Sequence, residues 1–100
     1  MKNQLKEKLR NGEVTYGISI GTPCLDLVEI AAGMPLDWIW FDTEHGALNA
    51  EMLEPMLQVA RGGNITPLVR VQWNDMVHIK KALDIGAGDE VIVPSFTFYA

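Results

Sequence analysis

Residues able to handle protons and anions follow at once on an apolar run. The segment WIWFDTEHGALN (38–49) passes from Trp38–Phe41 directly to Asp42, Glu44 and His45. A carboxylate three residues from an imidazole at a strand exit can orient the ring and fix one tautomer. Arg70 closes a second apolar segment, ITPLVRV (65–71). Its guanidinium fork suits a carboxylate or a developing oxyanion. A base beside an anion clamp implies proton transfer on an anionic, carbonyl-bearing substrate. The same residues also admit a structural reading, with Asp42 as a cap, His45 as a polar surface residue and Arg70 in an ordinary ion pair. Spacing alone leaves both open.

Alternating strands and helices must do the positioning. Leu5 and Leu9 lie one helical turn apart in the polar opening segment 1–10, which Asn11 and Gly12 close. VTYGISIG (14–21) reads as a strand, and Thr22-Pro23 as an N-cap and first-turn proline. Cys24, Leu27, Val28 and Ala31 form the buried stripe expected of the helix that follows, with Gly33 ending it. DWIWFD (37–42) does not alternate, which predicts burial on both faces of a parallel strand. Asn49 caps the next predicted helix, whose stripe is Leu53, Met56, Leu57 and Ala60. Pro55 within it predicts a kink or a late start, and Gly62-Gly63 stop it. After strand three, Asn74 is the expected cap of a helix with Met76, Ile79 and Leu83 inward and Lys80 and Lys81 outward, ending near Gly86. EVIVP (90–94) reads as a fourth strand.

This rhythm belongs to a parallel α/β fold, either an open doubly wound sheet or a (β/α)8 barrel. GISIGTP lacks the spacing of a dinucleotide-binding loop. The polar residues gather at the carboxyl ends of strands, where both folds place their chemistry.

Composition narrows the class. One hundred residues with 48% hydrophobic and 21% charged content suit a globular domain or part of one. A net charge of −5 with scattered Lys and Arg offers no surface to nucleic acid or anionic lipid. Cys24 is alone, which excludes an intrachain disulfide and fits a reducing cytoplasm. No stretch approaches the ~20 apolar residues of a membrane span, so the expected location is cytoplasmic. His78 is expected to face solvent without a role.

DWIWFDTEHG, followed by ITPLVRVQWND and IKKALDIGA, resembles the HpcH/HpaI family of metal-dependent, pyruvate-specific aldolases over residues 1 to about 87. The core signature is D-x-E-H-G after strand two and R-V-x-W-N after strand three. The resemblance implies the N-terminal part of a (β/α)8 TIM barrel, about three βα units plus a fourth strand, from a fold of about 250 residues. It implies a homo-oligomer, typically a hexamer. The implied reaction cleaves or forms 4-hydroxy-2-oxo acids, giving pyruvate and an aldehyde, with Mg²⁺, Mn²⁺ or Co²⁺. His45 matches the family's catalytic base, supported by Asp42. Arg70 matches the arginine that binds the pyruvyl oxygens and stabilises the enolate. Glu44 belongs to the motif in a supporting role behind these contacts. Ser19 stands where some members carry a bulky aromatic, which implies a wider aldehyde pocket.

The resemblance also implies metal ligands, a Glu and an Asp, on strands later than those present here. No residue of 1–100 takes their place, since Asp37, Asp75 and Asp84 read as caps or solvated surface. The tail GDEVIVPSFTFYA (88–100) resembles a segment of DegT-type sugar aminotransferases, enzymes that use pyridoxal phosphate. There the last aromatic of the motif, Phe98 here, stacks on the cofactor ring; the two resemblances overlap between Ala82 and Gly88. The expectation is therefore a truncated or hybrid chain: a partial aldolase barrel over 1–87 joined to a fourth strand and tail over 88–100. Alone it is expected to be inactive and, with open sheet edges, to self-associate or stay partly molten. The competing expectations are an aminotransferase fragment and a non-catalytic, self-associating α/β fragment.

Overall fold

The computed structural model describes residues 4–45, 47–84 and, for the backbone, 91–92. Its elements alternate as the hydrophobic periods dictate: α1 (Gln4–Arg10), β1 (Gly17–Ile20), α2 (Leu25–Ala32), β2 (Trp38–Asp42), α3 (Ala50–Arg61), β3 (Thr66–Arg70), α4 (Met76–Ala82) and β4 (Val91–Ile92). The four strands form one sheet in the order β1-β2-β3-β4, and every neighbouring pair is parallel. A doubly wound sheet reverses its strand order at a switch point, whereas a barrel adds each new strand on the same side. Sequential order therefore decides between the two candidates. The fold is α/β, the N-terminal part of a (β/α)8 barrel.

Register assigns each side chain to a face. Ile20 aligns with Phe41, and Phe41 with Val69; these and Ile39 are buried beneath the helices. Val28, Ala31, Leu53, Met56, Leu57, Ala60 and Ala82 from the helices join that core, with Leu48, Ile65 and Val71 beside them. Gly17, Ser19, Trp38, Trp40, Asp42, Thr66, Leu68 and Arg70 alternate onto the opposite face. Among the described residues, Ile39 and Phe41 on one face of β2 are fully buried, whereas Trp38 and Trp40 on the other are only half-buried. Its second face is half-buried by its own indoles, with Trp38 and Trp40 ring centroids 6.4 Å apart.

A small-against-large pattern on β1 admits these indoles. Gly17 aligns with Trp38, and a Cβ on Gly17 would sit 2.0 to 2.3 Å from three atoms of that ring. An indole is rigid and cannot yield by rotating a distant end. Gly17→Ala is expected to destabilise the chain by about 1–3 kcal/mol, the usual range for overpacking. A urea midpoint equal to that of the unmodified chain would show the Trp38 ring free to move aside.

Local chemistry fixes the helix ends. Asn49 accepts a hydrogen bond from the backbone N–H of Met52 at 3.0 Å and caps α3, whose buried stripe is Leu53, Met56, Leu57 and Ala60. The helix runs from Ala50 through Pro55 without a late start. α4 is capped by Asp75 rather than Asn74, its carboxylate accepting from the His78 N–H at 2.9 Å. Packing against the core sets the inward face of α4, which lies about one residue, or ~100°, away from the expected one. Ala82 is consequently buried and Ile79 half-buried, while Met76 is 78% exposed and Leu83 is exposed. His78 is half-buried, with its Nδ1 at 2.8 Å from Asp75. α2 begins at Leu25, after Cys24, which makes no side-chain cap, so Thr22-Pro23 precede the helix instead of starting it. Its buried stripe is only Val28 and Ala31; Leu27 is exposed and Cys24 half-buried, because α2 packs along one narrow seam against α3. Gly63 allows that approach, since a Cβ there would lie 2.5 Å from the Ala32 carbonyl oxygen.

Asp37 ties the amino-terminal side together. One carboxylate oxygen accepts from Lys8 of α1 and the other from the Tyr16 N–H ahead of β1. The Lys8 hydrogen bond, then that of Tyr16, hold its pKa below the ordinary carboxylate value.

Candidate active site

β2 and β3 end side by side, with Asp42 aligned to Arg70. Their side chains emerge on the face that carries the indoles. Beyond β2 the chain turns back on itself, because Asp42 Oδ1 accepts from the backbone N–H of Glu44 at 3.0 Å and of His45 at 2.9 Å. Thr43 fastens this turn to β3, donating to the Arg70 carbonyl from its N–H at 3.0 Å and its hydroxyl at 2.6 Å. The Ala47 N–H donates to the Gly21 carbonyl at 3.2 Å, joining the loop to the end of β1. The loop is thus held from both neighbouring strands.

Arg70 is the hub. Its Nε donates to Asp42 Oδ1 at 3.2 Å and its Nη2 to Asp42 Oδ2, a two-point grip matching the carboxylate plane. Nε also lies 3.3 Å from Glu44 Oε1. Nη2 lies 3.1 Å from His45 Nδ1, and Glu44 Oε1 lies 3.6 Å from the same ring nitrogen. The imidazole itself is 70% exposed. A neutral His45 facing an Arg70 N–H accepts at Nδ1 and carries its proton on Nε2.

Burial pushes the Asp42 carboxyl up. The Arg70 hydrogen bond, the His45 N–H, the Arg70 charge and the Glu44 N–H together outweigh it, and the pKa falls below the ordinary value. Asp42 in turn raises the Arg70 guanidinium above its ordinary value. Both groups stay ionised at neutral pH.

The geometry gathers Asp42, Glu44, His45 and Arg70 into one cluster. Asp42 acts on the His45 backbone and on Arg70; among the described contacts it makes none with the imidazole ring. Four donors occupy its two oxygens, and the ring nitrogen is left to Arg70 and Glu44. Ser19 is exposed on β1 beside Trp40, nearer the start of the strands than Asp42, with no described contact to the cluster. Thr43 and Trp40 join the site without having been singled out by motif spacing. Trp40 was in principle readable, standing two residues before Asp42 and hence on the same face. Thr43 left no such signal, because its role is to bond a carbonyl 27 residues away.

Among the described residues no group of three His, Cys, Asp or Glu side chains could hold a metal ion. Asp42 and Glu44, the nearest carboxylates, are already turned to Arg70. These residues do not fit a divalent ion by themselves.

No family model matches the chain. The chain is 39% identical to a pyruvate aldolase of Rhizobium etli over 92 residues, covering 92% of this chain and 36% of that protein. It is 36% identical to a 4-hydroxy-2-oxo-heptane-1,7-dioate aldolase of Salmonella arizonae over 94 residues, covering 94% of this chain and 35% of that one. In solved structures it is similar to an HpcH/HpaI aldolase/citrate lyase family protein from Burkholderia cenocepacia. There the TM-score is 0.80 at 29% identity, over 86% of this chain and 35% of that chain. The likeness is to the HpcH/HpaI aldolases. It extends to a citrate synthase, SbnG, with a TM-score of 0.81 and 36% identity over 94% of this chain and 38% of that one.

The chain spans about a third of the length of the curated relatives it matches. An alignment covering 94% of 100 residues reaches position 94 at least, so the HpcH/HpaI likeness takes in β4. The aminotransferase reading of 88–100 gains no support from these relatives, and Phe98 lies outside the described residues. No helix among the described residues is long and apolar enough to cross a membrane.

Proposed function

We propose that this chain is a portion of a carbon–carbon lyase of the HpcH/HpaI type, which cleaves or forms 4-hydroxy-2-oxo acids to give pyruvate and an aldehyde. The observation that carries this reading is the 3.1 Å approach of Arg70 Nη2 to His45 Nδ1, delivered by adjacent parallel strands. A proton acceptor and an anion clamp then meet a single small keto acid. Names of the relatives agree, since they are a pyruvate aldolase and a 4-hydroxy-2-oxo-heptane-1,7-dioate aldolase.

In cleavage, the substrate's pyruvyl oxygens engage Arg70 and displace its contact with the imidazole. His45 Nδ1 is thereby released to take the C4 hydroxyl proton. The C3–C4 bond breaks, the aldehyde leaves, Arg70 shares the enolate charge, and a proton delivered to C3 from the imidazolium or solvent gives pyruvate and restores neutral His45. Asp42 holds the fork of Arg70 and the backbone of His45 in place, and Glu44 flanks both. Ser19 lines the aldehyde side of the pocket. The divalent ion implied by the family is not held by the described residues, and no step here is assigned to it. We place the parent enzyme in the cytoplasm as a homo-oligomer, consistent with the lone Cys24 and with exposed apolar side chains such as Leu27 and Ile30.

The test is a full-length barrel in which residues 1–94 replace the corresponding segment of a 4-hydroxy-2-oxo-heptane-1,7-dioate aldolase. Pyruvate release from that enzyme's substrate with Mn²⁺ is the expected result, with loss of turnover on adding EDTA. A folded, metal-loaded chimera that releases no pyruvate would overturn the proposal.

A further inference from the structure

Arg70 is gripped along one edge. A guanidinium offers five N–H groups. Nε faces Asp42 and Glu44, and Nη2 serves Asp42 and His45. Among the described contacts Nη1 has no partner, so its two N–H groups can receive one ligand oxygen while a second oxygen displaces the Nη2 contact with His45. An edge grip fixes where the fork sits but still lets the flat group rock about that edge.

Trp40 removes this freedom. Its ring centroid lies 5.2 Å from the Arg70 guanidinium carbon. An indole face is the most favourable aromatic platform for a cation. The indole Nε1 is buried and finds no acceptor among the described residues. A buried donor without a partner costs folding stability, so hydrogen bonding does not account for a tryptophan at this position. The ring face does. Resting on the reading of Arg70 as an anion ligand, we propose that Trp40 is the positioning residue of the clamp. Its ring holds the guanidinium plane so that the two Nη1 N–H groups keep one direction for a carboxylate or enolate oxygen.

The experiment uses the ¹⁵N-labelled full-length chimeric barrel that carries residues 1–94, and its Trp40→Phe and Trp40→Leu variants. Phenylalanine keeps a ring face and discards the unpartnered donor; leucine discards both. In the absence of ligand, solvent exchange of the Arg70 Nε–H is expected to be alike in the unmodified chain and Trp40→Phe. In Trp40→Leu it is expected to be about three- to ten-fold faster, the scale of one cation–π contact. Equal exchange in all three overturns the proposal. So does equal acceleration in both variants, because a packing role needs indole volume and phenylalanine would not restore it. Oxalate, a planar dianion, is the binding probe. Its Kd is expected to rise about three- to ten-fold in Trp40→Leu and to stay within about two-fold in Trp40→Phe. Unchanged oxalate affinity in Trp40→Leu also overturns the proposal. Oxalate that leaves Arg70 resonances unmoved in the unmodified chain sinks the anion-ligand reading instead, while the exchange series still judges Trp40.

Discussion

His45→Ala in the full-length chimeric barrel is expected to lower kcat by about 10²–10⁴-fold, the usual contribution of a positioned acid or base. The imidazole is 70% exposed and its described polar neighbours are Arg70 and Glu44. The loop is held by backbone donors: the N–H groups of Glu44 and His45 bond Asp42, and neither is altered by removing the ring. The urea midpoint should therefore stay within about 0.5 kcal/mol of the unmodified protein, as for an exposed surface substitution. Steady-state kinetics and chemical denaturation check the two halves together. Full turnover in the alanine variant would remove His45 from the chemistry and leave it a surface residue of a structural turn.

Arg70→Ala should damage both activity and stability. Removing an electrostatic donor aimed at developing charge costs about 10²–10³-fold in kcat. The stability loss comes from Asp42, whose side chain is only 13% exposed and which gives up both bonds of the fork while remaining charged. Stranding such a group costs about 2–4 kcal/mol, somewhat below the range for a fully buried pair because two backbone N–H groups remain. Arg70→Lys should recover little, since an ammonium cannot span two oxygens, the Nδ1 of His45 and an indole face at once.

Acid titration gives this prediction a second arm. The folded pKa of Asp42 is depressed, so its contribution to stability is fully present above the unfolded value of about 3.9. It is lost as pH falls below that value and through the folded one. Arg70→Ala removes the largest lowering influence and should flatten this acid-side loss. Urea midpoints between pH 6 and pH 2 measure it. An unaltered slope would mean that the backbone donors alone keep Asp42 ionised.

Much of this molecule is legible without coordinates. Asn49 and the stripe Leu53, Met56, Leu57 and Ala60 fix α3, because capping and helical periodicity act within a few residues. The apolar run Trp38–Phe41 marks β2, and the polar residues behind it mark the site. The same local logic misplaces the cap of α4 and the faces of Met76 and Leu83. Asn74 and Asp75 are adjacent, and either can cap in isolation; only packing against the sheet makes Asp75 the one whose helix buries Ala82.

The members of the cluster were likewise nominated by the chain, but its wiring was not. Residue types and strand ends sufficed to nominate Asp42, Glu44, His45 and Arg70. Which carboxylate would serve which cation depends on distances across β2 and β3, set by the alignment of Asp42 with Arg70. That alignment gives Asp42 to the guanidinium, leaves the imidazole to Arg70 and Glu44, and seats Arg70 over Trp40. Barrel against open sheet was decided the same way, by the order in which parallel strands pair. Amino acids carry their hydrophobic period and their functional groups wherever they stand, whereas contacts between residues nearly thirty positions apart exist only once the sheet has assembled.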